Sequence, residues 1–214
     1  MSLYVPAHFA TDDRDAMARL MHDHPFATVI TFAGGELHVS HVPLLHVAEG
    51  GPHGTLIGHF ARANPHWRHA EGVASLVVFQ GPHAYVSPSW YTAPERMVPT
   101  WNYVAVHAHG ALAPIADAIE ARGVLDALVE RFEGGRAVPW RLTMPAPQRD
   151  AMVGAIVAFR IPIDRLEGKF KLSQNRSAED RARVAQALRA EGYAEATATA
   201  EWMARHADVK APPP

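Results

Sequence analysis

No cysteine occurs anywhere in the 214 residues. That removes disulfide frameworks, thiolate zinc sites, iron–sulfur clusters and cysteine nucleophiles. No apolar run approaches the roughly 20 residues that cross a bilayer; GAIVAF, a fair sample of the apolar stretches, is cut short by Arg160. The opening MSLYVPAHF lacks the basic start and apolar segment of a secretory signal, so the sequence reads as a soluble cytoplasmic protein. Charge of one sign is lacking as well. The 20 basic and 22 acidic side chains leave a net charge of −2, which argues against a large nucleic-acid footprint and leaves only a local basic patch to consider. Neither a G-x-S-x-G elbow, a P-loop, a G-x-G-x-x-G nor an H-E-x-x-H is present.

What is present is ordinary globular composition, 48% apolar and 20% charged, with too little glycine and proline for low complexity. The length suits one domain, expected over residues 1–206, followed by an unpacked Pro-rich tail at 207–214. Thr11 and Asp12 are placed to cap a helix to His24, with Ala16, Met17, Leu20 and Met21 on one face. FATVITF (26–32) and ELHVSHVPLLHV (36–47) flank Gly34-Gly35, which predicts a tight hairpin. Further strands are expected at 55–60, 73–80 and from 82 until Pro88. The segment 101–115 alternates best, with Trp101, Tyr103, Ala105, His107 and His109 opposed to Asn102, Val104, Val106 and Ala108.

A helix over 116–133 is expected to bury Leu125, Leu128, Val129 and Phe132. A last long strand is expected at 153–168, then helices from Ser177 to His206 broken at Gly192. Many strands with short connections predict an α+β fold, mainly β: an antiparallel barrel or curled sheet with peripheral helices.

Three polar-aromatic segments could carry chemistry. In GHFARANPHWR (58–68), Arg62 and Asn64 stand between a strand end and a helix start. Such a bend can cradle phosphate, or it can be a plain helix cap beside a solvated arginine. Trp90, Tyr91, Trp101 and Tyr103 gather near Gln80, Ser87, Ser89 and Asn102, either as walls for a planar ligand or as core and interface aromatics. Lys169 and Lys171 share a strand face before Ser173, Gln174, Asn175 and Arg176. They could meet an anion, although such pairs more often mark a solvated edge strand. Fourteen histidines raise the question of metal. The pairs His66/His69 and His107/His109 have no acidic third ligand nearby, so no metal site is assigned.

YVPAHF, GHFARANPHW, VVFQGPHAYVSPSWY, VPTWNYVAVHAHG and GKFKLSQNR, in that order, resemble the PaiB-type family of FMN-binding negative transcriptional regulators. The resemblance runs from about Tyr4 to Gly192. It implies a flavin-binding split barrel similar to pyridoxamine-phosphate oxidases, FMN as cofactor, and a homodimer with the flavin at the subunit interface. It puts Arg62 at the basic phosphate position, with Asn64 beside it, and Ala63 where the oxidases carry a second basic residue. It also makes Val42 and Pro43 flavin-ring contacts, Trp101 and Asn102 ring-edge contacts, and Lys171 with Gln174 a contribution from the partner chain. The oxidases' substrate residues have no counterpart here.

Two functions from different classes follow. One is repression by an FMN-binding dimer, with direct DNA binding disfavoured because Arg181, Arg183 and Arg189 alternate with Glu179, Asp180 and Glu191. The other is an FMN-dependent oxidoreductase acting on a small planar substrate. Haem handling is a third reading, suggested by the histidines.

Overall fold

The computed structural model describes residues 3–206; the tail expected at 207–214 lies outside them. A two-residue strand, β1 (Ala10–Thr11), leads into helix α1 (Arg14–Asp23). Asp13, one residue later than expected, caps α1 by accepting the Ala16 N–H at 2.9 Å. The buried face is Ala16, Met17, Leu20 and Met21, as the helical spacing predicted. Strands β2 (Phe26–Ala33) and β3 (Glu36–Pro43) pair antiparallel in register. Their turn places Gly34 and Gly35 at φ +61° and +84°, a left-handed conformation that glycine adopts without strain.

The expected strand 36–47 is in fact two. Leu44, fully buried, separates β3 from β4 (Leu45–Val47), which pairs with β5 (Thr55–Ala61) in another sheet. The Leu44 N–H donates to the Pro25 carbonyl at 2.9 Å. A side chain on Gly58 would collide with Leu44, so glycine permits this crossing. Helix α2 (His66–Ala70) follows. Strand β6 (Ala74–Val86) then runs straight through Gly81-Pro82, where a break was expected. Its ladder with β2 involves only Ser75–Val78, so the missing N–H of Pro82 costs that ladder nothing. Strand β7 (Thr100–Ala111) alternates as predicted, and the face buried throughout is Asn102, Val104, Val106 and Ala108, with Ala105 buried on the other; β8 (Ala113–Pro114) follows it.

Helix α3 (Ala118–Glu133) is capped by Asp117, which accepts the Glu120 N–H at 2.8 Å. It buries Ala121, Val124 and Leu128, whereas Phe132 is exposed, so the inward face is rotated from the expected one. Helix α4 (Ala146–Gly154) precedes β9 (Ile156–Pro162) and β10 (Arg165–Lys171). These two replace the single long strand expected at 153–168. Pro162 ends β9, and β10 belongs to the other sheet. Helices α5 (Ala178–Ala190) and α6 (Ala194–Arg205) are separated at Gly192, which has φ +76°.

The sheet orders are β1-β10-β7-β6-β2-β3 and β4-β5-β9-β8. The chain forms two compact units. The first takes in the segment up to Leu20, Gln80–Val106 and the chain from Glu167 onward; in it, Phe170 packs edge-on to Trp202 at 5.3 Å, and Val184 and Leu188 are buried. The second takes in Met21–Phe79 and His107–Leu166. There Phe60 stacks on Phe159 at 4.5 Å, and α3 covers Ile115 and Ala158.

Candidate functional site

Arg62 directly follows β5 in the second unit. Its N–H donates to the Ala155 carbonyl at 2.8 Å, its Nη2 to the Ile156 carbonyl at 2.7 Å and its Nε to the Gly154 carbonyl. The end of β5 is thereby fastened to the junction of α4 and β9. The Trp67 indole N–H donates to the Arg62 carbonyl at 3.2 Å and steadies the bend. A guanidinium carries five N–H donors, so most of Arg62's remain available on its exposed side chain.

Arg62 lines a cleft of about 560 Å³ whose walls include Trp67, Pro114, Ile115, Val153 and Val157. That volume falls within the range of small-molecule sites. Arg122 and Asp150, also lining it, form an ion pair at 2.6 Å. The one carboxylate of the cleft is thus already neutralised, and Arg62 has no carboxylate partner among the described residues. A cation at the edge of an apolar cleft suits a ligand with an anionic end and a flat or apolar body.

Asn64 takes a more structural part. Its Oδ1 accepts the His66 N–H at 3.0 Å and starts α2, and its Nδ2 donates to Ser40 Oγ on β3 at 2.9 Å. Behind it runs a buried chain: Ser40 Oγ to His66 Nδ1 at 2.9 Å, His66 Nε2 to Thr31 Oγ1 at 3.0 Å, and Thr31 Oγ1 to Ser75 Oγ at 2.6 Å. Burial, with His38 and His69 nearby, pushes the His66 pKa down to about 4, so the ring is neutral. His69 stacks on His38 at 4.2 Å. No cluster of three or more metal-ligating side chains forms among the described residues. Val42 and Pro43 lie at the end of β3, an edge strand of the six-stranded sheet, and are half-buried.

The other four nominated residues belong to the first unit. Trp101 is half exposed, in ring contact with Tyr85 and His83. Asn102 is buried, and its Nδ2 donates to Ser173 Oγ at 3.0 Å. Lys171 Nζ donates to Thr100 Oγ1 at 2.6 Å and to the Trp101 carbonyl. Burial, followed by Lys169 and Arg176, holds its pKa below the usual lysine value. Gln174 accepts the Leu172 N–H at 2.7 Å and donates to the Phe170 carbonyl. Its amide therefore closes the turn after β10. Strand β10 lies between β1 and β7, so Lys169 and Lys171 do not form the solvated edge that their spacing suggested. Lys169 is buried and donates to the Tyr4 carbonyl at 2.8 Å.

Arg122 and Asp150 were not legible as site residues, because 28 positions separate them and neither sits in a motif.

Comparison with known proteins identifies the family and the fold. The profile of a family described as "Putative FMN-binding domain" matches residues 3–165. The "Protease synthase and sporulation protein PAI 2" of Bacillus subtilis (strain 168) is 35% identical over 204 residues, 94% of this chain and 96% of that one. An uncharacterised protein of Saccharomyces cerevisiae is 41% identical over 83 residues, covering 36% of this chain and 48% of its own. Among solved structures, the FAD and heme binding protein from Mycobacterium smegmatis superposes with a TM-score of 0.61 at 22% identity, over 81% of this chain and 78% of the other. The flavocytochrome Anf3 from Azotobacter vinelandii gives 0.59 at 16% identity, over 76% and 69%. At those identities the likeness is one of fold: an α+β antiparallel split barrel with peripheral helices.

Proposed function

The chain belongs to the FMN-binding domain family, and from that premise we propose a homodimeric FMN-binding regulator that lowers transcription without itself reading DNA. FMN is the cofactor that family membership gives. The observation that carries the site assignment is the Arg62 guanidinium, with donors to spare and no carboxylate partner among the described residues, at the edge of an apolar cleft. Arg62 is the residue that would hold the flavin phosphate, with charge-assisted hydrogen bonds. Asn64 fixes the bend by tying α2 to β3, and Val42 and Pro43 are assigned to the ring. Trp101 and Asn102 are assigned to the ring edge, and Lys171 with Gln174 to a contribution from the partner chain, Gln174 through the turn it closes. Bound FMN supplies a redox-active tricyclic ring.

The homodimer is supported by an exposed apolar sheet face. Phe26 and Phe32 on β2 and Leu37 and Val39 on β3 are 69%, 63%, 67% and 53% exposed. The register brings Ile30 opposite Val39 and Phe32 opposite Leu37 on that face. An apolar patch of this kind is uncommon on a protein that stays monomeric. The regulatory reading is supported by the Bacillus subtilis relative, whose name ties that protein to protease synthesis and sporulation. Against direct DNA reading, α5 is packed through Val184 and Leu188, and its Arg183 donates to the Trp90 carbonyl at 3.0 Å. No helix among the described residues is long and apolar enough to cross a membrane, and a cytoplasmic site of action goes with the regulatory role.

The test is a fluorescence titration of the purified protein with FMN and with riboflavin. Arg62→Ala is expected to weaken FMN binding about 10- to 100-fold, or about 1–3 kcal/mol, while riboflavin affinity holds. Equal FMN affinity in the variant overturns the site. Fast reoxidation of protein-bound reduced FMN by a quinone or nitroaromatic would replace the regulator with an oxidoreductase, and a haem band in the visible spectrum would replace both.

A further inference from the structure

We infer that the groove between α5 and α6 binds an aliphatic carboxylate. It has a volume of about 370 Å³ and lies wholly within residues 172–206, beyond the segment matched by the FMN-binding profile. The inference therefore does not rest on the flavin reading. Leu172, Ala182, Ala185 and Met203 give it apolar walls, two of them small enough to leave room for a chain. Arg181 and Arg189 border it on the same face of α5, eight residues and so about 12 Å apart along the axis.

The charge of the groove decides the ligand class. Other arginines of this region are engaged: Arg183 with the Trp90 carbonyl, Arg205 with Glu201 at 3.6 Å, and Arg176 over the Tyr91 ring at 5.4 Å. Among the described residues Arg181 and Arg189 have no side-chain partner, and no carboxylate among them lines the groove. A small inorganic anion would leave the apolar walls wet, and a neutral alkane would leave both guanidiniums unpaired. An aliphatic chain with a terminal carboxylate satisfies both, gaining apolar burial along the chain and a forked hydrogen bond at its head. The Gln174 amide also borders the groove but is already committed to the backbone.

The protein contains a reporter for the event. His206 lines the groove and stacks on Trp202 with ring centres 5.2 Å apart. Decanoate, decanol and decylammonium are titrated below their micellar concentrations into the full chain, followed by tryptophan emission and by calorimetry. Decanoate is expected to give a saturable change that Trp202→Phe removes from the emission but not from the calorimeter. Arg181→Gln and Arg189→Gln are each expected to weaken decanoate about tenfold, and Ala185→Phe to abolish its binding. FMN titration of the same samples, with unchanged affinity, shows that the variants are folded and reports on the flavin site separately. Decanol or decylammonium binding as tightly as decanoate, undiminished affinity in both glutamine variants, or no saturable signal overturns the inference.

Discussion

Asn102 and Ser173 hold each other across the interior of the first unit. The Asn102 amide donates to Ser173 Oγ at 3.0 Å, and the Ser173 hydroxyl approaches Asn102 Oδ1 at 3.2 Å. Both side chains are buried. Ser173 has a φ of +66°, the one positive value outside glycine among the described residues. A left-handed serine costs about 1 kcal/mol, so the Asn102 contact keeps a strained turn in place between β10 and α5.

Removing Asn102 should therefore be costly. Asn102→Ala is expected to lower stability by about 1–3 kcal/mol in urea unfolding, since Ser173 is left buried without its amide partner. Ser173→Gly loses the same bond but relieves the backbone, and should cost clearly less. Equal losses in the two variants would show that strain at Ser173 plays no part.

Acidification acts through His66. Its folded pKa of about 4 lies below the ordinary histidine value of 6.5, so between those values the unfolded chain binds more protons. Stability is full above pH 6.5 and declines as pH falls toward 4, by about 3 kcal/mol in total from this group. His66→Gln should flatten the unfolding midpoint across that window. A slope as steep as in the parent would assign the acid sensitivity to other groups.

Asp180 acts at lower pH. The Thr92 N–H, at 2.9 Å, holds its carboxyl below the ordinary range against the effect of burial, helped by the Thr92 and Ser177 hydroxyls and by Arg176. The stability it contributes is present above the ordinary carboxylate pKa and lost as pH falls below it. Asp180→Ala should lower the Tm at neutral pH and weaken protection of the Thr92 amide from hydrogen exchange. Asp180→Asn, which can still accept from Thr92, should keep most of that protection.

The apolar face of β2 and β3 gives a direct test of assembly. Phe32→Glu is expected to shift sedimentation at micromolar protein from dimer to monomer with the fold retained by circular dichroism. A dimer of undiminished strength would place the interface elsewhere.

Features written locally in the sequence were legible. The Gly34-Gly35 hairpin, the α1 stripe, the alternation of β7 and the break at Gly192 each depend on a few neighbouring residues. The strand segments at 36–47 and 153–168 misled because their patterns continue across Pro43-Leu44 and Pro162-Asp164, where the chain changes sheets. That choice is made by distant partners. The site divides in the same way. Arg62 was recognisable at a strand end, whereas the Arg122–Asp150 pair that neutralises its cleft joins two helices and leaves no local trace. Lys171 and Gln174 stand out in the string KLSQNR, but nothing local in it shows that Lys171 meets Thr100 Oγ1 and the Trp101 carbonyl or that Gln174 closes the turn after β10.

The position of β10 reaches further than its length. The family profile ends at Arg165, the first residue of this strand, which sits between β1 and β7. A polypeptide trimmed to the matched segment would lose the strand that joins β1 to β7. Two raw backbone borders would then face solvent, ready to zip onto a neighbouring chain. The homology boundary is thus not a folding boundary, and a truncation made there invites insolubility however well the remaining residues match.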